Sequence, residues 1–94
     1  MSKITKHVIV HGEVQGVFFR ACTQEKAREL GVMGWVKNNV DGTVEALFQG
    51  AEDQVIDMVK WCYRGSPSSV VTGVDEKEIE TTELFHNFEV RSTY

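Results

Sequence analysis

Gly12-Glu13-Val14-Gln15-Gly16-Val17-Phe18-Phe19-Arg20 is the segment whose residue types and spacing could do chemistry. It holds two glycines, no proline, and no charge between Glu13 and Arg20, so each backbone N–H in it is available to a ligand. Gly16 permits a positive φ or a close backbone approach. If a strand precedes this segment and a helix follows, successive N–H groups can form an anion-binding nest, and the helix N-terminus adds its partial positive charge. Arg20 then supplies a planar, bidentate fork suited to phosphate oxygens. The combination is an oxyanion cradle. It is neither a Walker A loop nor a G-x-G-x-x-G dinucleotide loop. The plainer alternative is a tight connection in which Val17, Phe18 and Phe19 are core and Arg20 is a solvated surface charge.

A second segment runs from Gly34-Trp35-Val36-Lys37-Asn38 through Asn39-Val40-Asp41-Gly42 to Thr43-Val44-Glu45. Asn38 stands two residues beyond Val36, so it leaves a strand on the same side. An amide there can donate and accept at once, which suits holding a water. Its alternative is service to a hairpin turn, a role that fits Asn39 better than Asn38. His7, His11 and His86 are tempting as acid–base groups. Four residues apart on a strand is about 13 Å, too far for His7 and His11 to share one metal. They read as sheet-face or surface residues. Trp35 and Trp61 read as packing residues. Asp75, Glu76, Glu78 and Glu80, with Lys77 among them, read as a solvated face rather than a metal site.

The elements that must position these groups follow from periodicity. Residues 4–11 alternate as a strand, with Val8 and Val10 on one face and His7, Ile9 and His11 on the other. Residues 20–30 form a helix closed by Gly31, with Thr23, Ala27 and Leu30 as its apolar seam. Strands at 32–39 and 43–49 are joined by the Asp41-Gly42 turn signal. In the third strand Val44, Ala46 and Phe48 alternate against Thr43, Glu45, Leu47 and Gln49. A second helix at 51–63 turns Val55, Met58, Val59 and Cys62 inward and carries acidic residues in its first turn. Gly65-Ser66-Pro67-Ser68-Ser69 is the clearest loop, and further strands fall within 70–80 and 85–92. The order predicts an α+β fold, a ferredoxin-like βαββαβ sandwich. Two helices pack on one face of a mixed, mostly antiparallel sheet with a short terminal extra strand.

Ninety-four residues are expected to form a single domain over 1–94. Apolar residues at 41% and charged residues at 26% exclude the signature of disorder. No stretch reaches the roughly 20 apolar residues of a membrane helix, and Met1–Lys6 lack a signal-peptide run, so the expected location is cytoplasmic. Cys22 and Cys62 form no C-x-x-C pair and read as small, buried, reduced thiols on helices. A net charge of −4 opposes nucleic-acid binding. An anion would have to be held by local groups against that field.

The ordered blocks Gly12-x-Val14-Gln15-Gly16-Val17-x-Phe19-Arg20, Gly34-Trp35-Val36-x-Asn38 and Asp41-Gly42-x-Val44-Glu45 resemble the acylphosphatase family. The resemblance extends over the chain, through the Gly65–Ser69 loop to Phe88-x-Val90-Arg91 and Tyr94. It implies a small ferredoxin-like hydrolase that cleaves the carboxyl–phosphate bond of acyl phosphates, with no metal and no cofactor. The family's phosphate-binding arginine falls on Arg20 and its water-orienting asparagine on Asn38. Its phosphate-binding loop falls on the backbone of Glu13, Val14, Gln15, Gly16, Val17, Phe18 and Phe19. Glu13 is the odd member, a carboxylate beside a phosphate loop, and is expected to point outward. Acetyl, carbamoyl, 1,3-bisphosphoglycerate and aspartyl phosphates all share the reacting group.

Three non-catalytic readings compete. An RNA-binding module would want an Arg/Lys-Gly-Phe strand opening and a basic surface, which Thr43–Gln49 and the net charge do not offer. A metal chaperone would want C-x-x-C. A small-anion sensor that uses the same cradle without turnover survives this test. The expected partner is the small-molecule substrate alone, with no nucleic acid and no membrane, and the chain is expected to be a monomer.

Overall fold

The computed structural model describes residues 3–16 and 18–93; Val17 of the loop and the terminal Tyr94 lie outside the described residues. The elements run β1 (Lys3–Glu13), α1 (Phe19–Leu30), β2 (Met33–Asn38), β3 (Val44–Ala51), α2 (Glu52–Arg64), β4 (Val70–Ile79) and β5 (Phe88–Arg91). They form one five-stranded sheet in the order β4-β1-β3-β2-β5. β1 pairs antiparallel with β3 and β4, and β2 pairs antiparallel with β3. β5 alone is parallel to its neighbour, β2. This is the ferredoxin-like α+β arrangement with an added strand at one edge.

Alternation decides the inner face. Val8, Val10, Val36, Val44, Ala46, Phe48 and Phe88 are all buried and form one cluster with the helices. Phe19, Thr23 and Ala27 are the buried residues of α1; Val55, Met58, Val59 and Cys62 are those of α2. Fully burying a side chain of this size contributes roughly 1.5–3 kcal/mol. Aromatic contacts tie the layers: Phe19 to Trp61 at 5.4 Å between ring centroids, and Phe48 to Phe88 at 5.9 Å. Both tryptophans pack as expected, Trp35 with Arg91 5.1 Å from its ring centre on the other face of the sheet.

That other face departs from the simple alternation. Leu47 and Gln49 are as buried as the inner residues of β3. β3 sits in the middle of the sheet, and the segment after β4 folds back across it. Gln49 Nε2 donates to Thr5 Oγ1 at 3.1 Å and to the Glu83 carbonyl at 2.9 Å. The Phe85 N–H donates to Gln49 Oε1 at 3.0 Å. One buried amide is thereby satisfied at both ends. His7 and His11 lie on this face as well, donating to Glu45 at 2.6 Å and Asp75 at 2.8 Å.

A bulge between His11 and Gly12 interrupts the β1–β4 register where β1 leaves the sheet. Gly12 has φ 122°, and a Cβ built on it would collide with the Val70 carbonyl. Two edges of the expectation shift. The strand read at 85–92 is confined to Phe88–Arg91. Of the two cysteines read as buried, Cys62 is, whereas Cys22 is half-buried. Burial pushes the Cys62 thiol up to about 12, which keeps it protonated and unreactive.

Gly12→Ala is expected to cost at least about 2 kcal/mol in urea unfolding, because backbone must move. Gly16→Ala, with open space around its Cβ but a φ of 74°, should cost only about 1 kcal/mol. A thiol reagent added to the native protein should label Cys22 and leave Cys62 unmodified until denaturant is added; fast labelling of both would contradict the packing of α2.

Candidate active site

Val44 pairs with Val10 of β1 and with Asn38 of β2. The exit of β1 and the last residue of β2 are therefore at the same end of the sheet. The chain leaving β1 must turn there into α1, and it does so in the segment 14–18. Val14 is buried and anchors the near end. Phe19 is buried and anchors the far end as the first residue of α1. Between them Gly16 has φ 74° and Phe18 has φ 59°, ψ 23°. A left-handed backbone costs a non-glycine residue roughly 1–2 kcal/mol. Phe18 turns outward and is 81% exposed, so the reading that placed it in the core does not hold.

Phe18 is the N-cap of α1, and no side chain caps that end. The first turn of α1 carries no acidic residue, whereas α2 opens with Glu52 and Asp53. An uncapped helix start leaves N–H donors and a partial positive charge for an anion to satisfy. Arg20 stands in that first turn. Its Nη1 donates to the Arg91 carbonyl at 3.4 Å, so the end of β5 steers the guanidinium. One helical turn on, Gln24 Nε2 donates to the Phe88 carbonyl at 2.9 Å. Both contacts depend on β5 lying beside β2.

Arg20 and Asn38 line the same cavity, of about 350 Å³, with Val14, Gly16, Phe18 and Phe19 on its loop side. Ala21, Gln24 and Val90 complete its wall. Asn38 Oδ1 is buried and has no hydrogen-bond partner among the described residues. Leaving such an acceptor unsatisfied costs about 1–3 kcal/mol, unless something enters the cavity to donate to it.

Two loop residues do not line the cavity. Glu13 is exposed at the end of β1, opposite Val70, and points away as expected. Gln15 turns instead to the β2–β3 connection, where its Nε2 donates to the carbonyls of Asn39 at 2.7 Å and Thr43 at 2.9 Å. The connection is itself cross-braced. Asn39 Nδ2 donates to Thr43 Oγ1, and Asp41 Oδ1 accepts from the Thr43 hydroxyl and N–H. Those last two bonds hold the Asp41 carboxyl below its usual range. Asn39 thus serves the turn, and Asn38 lines the cavity. Gln24 and Val90 went unnoticed in the sequence. Gln24 carried a usable signal, its i+4 spacing from Arg20; Val90 reaches the site only through the parallel pairing of β5.

Among the described residues, no three His, Cys, Asp or Glu side chains cluster so as to hold a metal ion. Nor, among them, is any helix long and apolar enough to cross a membrane.

Fold and cavity together define a ferredoxin-like α+β protein with an anion-suited pocket at one end of its sheet. Residues 6–90 match the family described as Acylphosphatase. An acylphosphatase of Syntrophobacter fumaroxidans is 50% identical over 90 residues, covering 96% of this chain and 93% of that protein. One of Pelotomaculum thermopropionicum is 42% identical over 90 residues, covering 96% and 98%. The crystal structure of acylphosphatase from Bacillus subtilis superposes with a TM-score of 0.90 at 39% identity, covering 94% of this chain and 98% of that one. The chain belongs to the acylphosphatase family. At the level of that family it is an enzyme that hydrolyses acyl phosphates.

Gln15→Ala is expected to release the loop from the turn. Amide hydrogen exchange should rise across 14–16, and urea unfolding should show a loss of about 1–2 kcal/mol from the two bonds. Unchanged exchange would mean the clamp is not what orders the loop.

Proposed function

We propose that acyl phosphates are hydrolysed in the cavity between the 14–18 loop and the end of β2, with Arg20 and Asn38 as the catalytic pair. The observation that carries this is their convergence on one cavity, beside an uncapped helix start and a buried, unpartnered Asn38 Oδ1.

The loop N–H groups from Glu13 through Phe19 and the Arg20 fork would hold the phosphoryl oxygens. Bidentate contact fixes orientation as well as charge. Asn38 Oδ1 would accept a hydrogen bond from the attacking water and place its oxygen in line with the leaving group. The water oxygen bonds to phosphorus, and the bond from phosphorus to the acyl oxygen breaks. The carboxylate leaves with the bonding electrons, and both water protons end on phosphate. A carboxylate is a good leaving group and needs little protonation, so positioning and charge stabilisation carry most of the acceleration. No carboxylate or imidazole lines the cavity among the described residues. The water proton therefore passes to the phosphoryl group itself in this scheme. A monomeric, single-domain enzyme of cytoplasmic location is part of the same proposal.

Arg20→Ala is expected to lower kcat/KM for benzoyl phosphate by roughly 10²–10³ or more, the usual cost of a lost preorganised donor. Arg20→Lys should also be poor, since a point charge cannot reproduce the fork. Asn38→Ala should act on kcat more than on inhibition by inorganic phosphate. Activity within tenfold of wild type in either alanine variant removes that residue from the mechanism. The pH–rate profile of the wild type should show no essential enzyme base between pH 5 and 8.

A further inference from the structure

We propose that Gln24 is a positioning residue for the reaction: by clasping α1 to β5 it aims the Arg20 guanidinium into the cavity. The inference rests on the catalytic reading above and concerns what keeps Arg20 in a fixed relation to Asn38.

Asn38 ends β2, whereas Arg20 stands on α1, so the two reach the cavity from different layers. β5 is the element that connects those layers. It pairs with β2 as far as Lys37 opposite Arg91, one residue before Asn38. The Gly34 N–H donates to the Asn87 carbonyl at 2.9 Å, which fixes the start of that ladder. Successive carbonyls of a strand point to opposite sides, so the Phe88 carbonyl faces away from β2. β5 stands at the edge of the sheet, and among the described residues no further strand meets that carbonyl. Gln24 Nε2 meets it instead, at 2.9 Å. The frame of β2 and Asn38 is thereby passed through β5 to α1.

The direct contact of Arg20 with β5 is the weaker one. Its Nη1 lies 3.4 Å from the Arg91 carbonyl, outside the roughly 2.7–3.2 Å usual for such bonds. A guanidinium that must give its fork to phosphate cannot also be the clasp between helix and strand. Gln24 can be that clasp. It follows Arg20 by one helical turn on the same face of α1, is half-buried, and lines the same cavity. A neutral amide also makes the bond without placing a second charge beside the phosphoryl group. Arg20 is the single charged side chain lining the cavity among the described residues.

The test uses Gln24→Met, which keeps the length and loses the donor, and Gln24→Glu, which donates only while its carboxyl is protonated. At neutral pH Gln24→Met should lower kcat/KM for benzoyl phosphate by about tenfold, less than the roughly 10²-fold cost of a full 1 Å misplacement. Inorganic phosphate should inhibit it about tenfold less well, because the Arg20 fork is what has moved. Gln24→Glu should lose at least as much at that pH. Between about pH 6.5 and about pH 4.5 its kcat/KM relative to wild type should recover and rise above that of Gln24→Met, as the carboxyl gains a proton to donate. Relief of charge repulsion alone would bring it back only to the level of Gln24→Met. Urea unfolding checks that each variant is folded in the assay, and Gln24→Leu replaces Gln24→Met if the latter is not. A kcat/KM within about twofold of wild type, a fall without weaker phosphate inhibition, or a Gln24→Glu profile that never exceeds the apolar variant overturns the positioning role. Arg20→Ala is run alongside. If it stays active, the catalytic reading fails; if it is inactive while the Gln24 variants match wild type, only the positioning role fails.

Discussion

One register, Val10 to Val44 to Asn38, is the constraint on which the site depends. β1 and β2 are far apart in sequence, and a helix separates them. They run in the same direction because each is antiparallel to β3, which lies between them. Both therefore finish at one end of the sheet, and their exits deliver the loop and Asn38 to a common point. A slip of one residue would turn Val44, Ala46 and Phe48 to the wrong face of the sheet and would carry Asn38 with them. The packing that fixes the core thus also fixes the distance between the two halves of the cavity. Gln15 then closes that distance with side-chain bonds, from the loop to the turn that follows Asn38.

The two helices show how the same sheet can carry one structural and one receptive helix start. α2 satisfies its macrodipole internally with Glu52 and Asp53. α1 has neither an acidic first turn nor a side-chain cap. An overall charge of −4 would discourage anions from the surface at large. The uncapped start of α1 and Arg20 in its first turn offset that charge locally. β5, only four residues long, matters to this out of proportion to its length, because its carbonyls receive both Arg20 and Gln24.

Much of this was legible in the sequence because it follows local rules. Alternation placed Val8, Val10, Val44, Ala46 and Phe48 inward, Gly31 closed α1, and Asp41-Gly42 turned the hairpin. The pairing of Arg20 with Asn38 was legible only through the family resemblance, since nothing local to either block says that they meet. Three features were hidden for a physical reason. The burial of Gln49 depends on residues 83–85 crossing β3, a contact between segments more than thirty residues apart. The parallel pairing of β5 leaves no periodic trace in four residues. The exposure of Phe18 is decided by a backbone torsion, and composition alone assigns such a ring to the core.

β4 forms one rim of the sheet over ten residues, long enough to invite another strand to pair with it. Its second half reads Asp75-Glu76-Lys77-Glu78, and Glu76 is held by Lys6 and by the Tyr63 hydroxyl. A second copy adding itself there in antiparallel fashion would bring acidic side chains against acidic side chains along a shared ladder, where like charges repel. The opposite rim ends in a strand too short to template anything. The sheet is thus guarded against growing sideways at one border by charge and at the other by brevity.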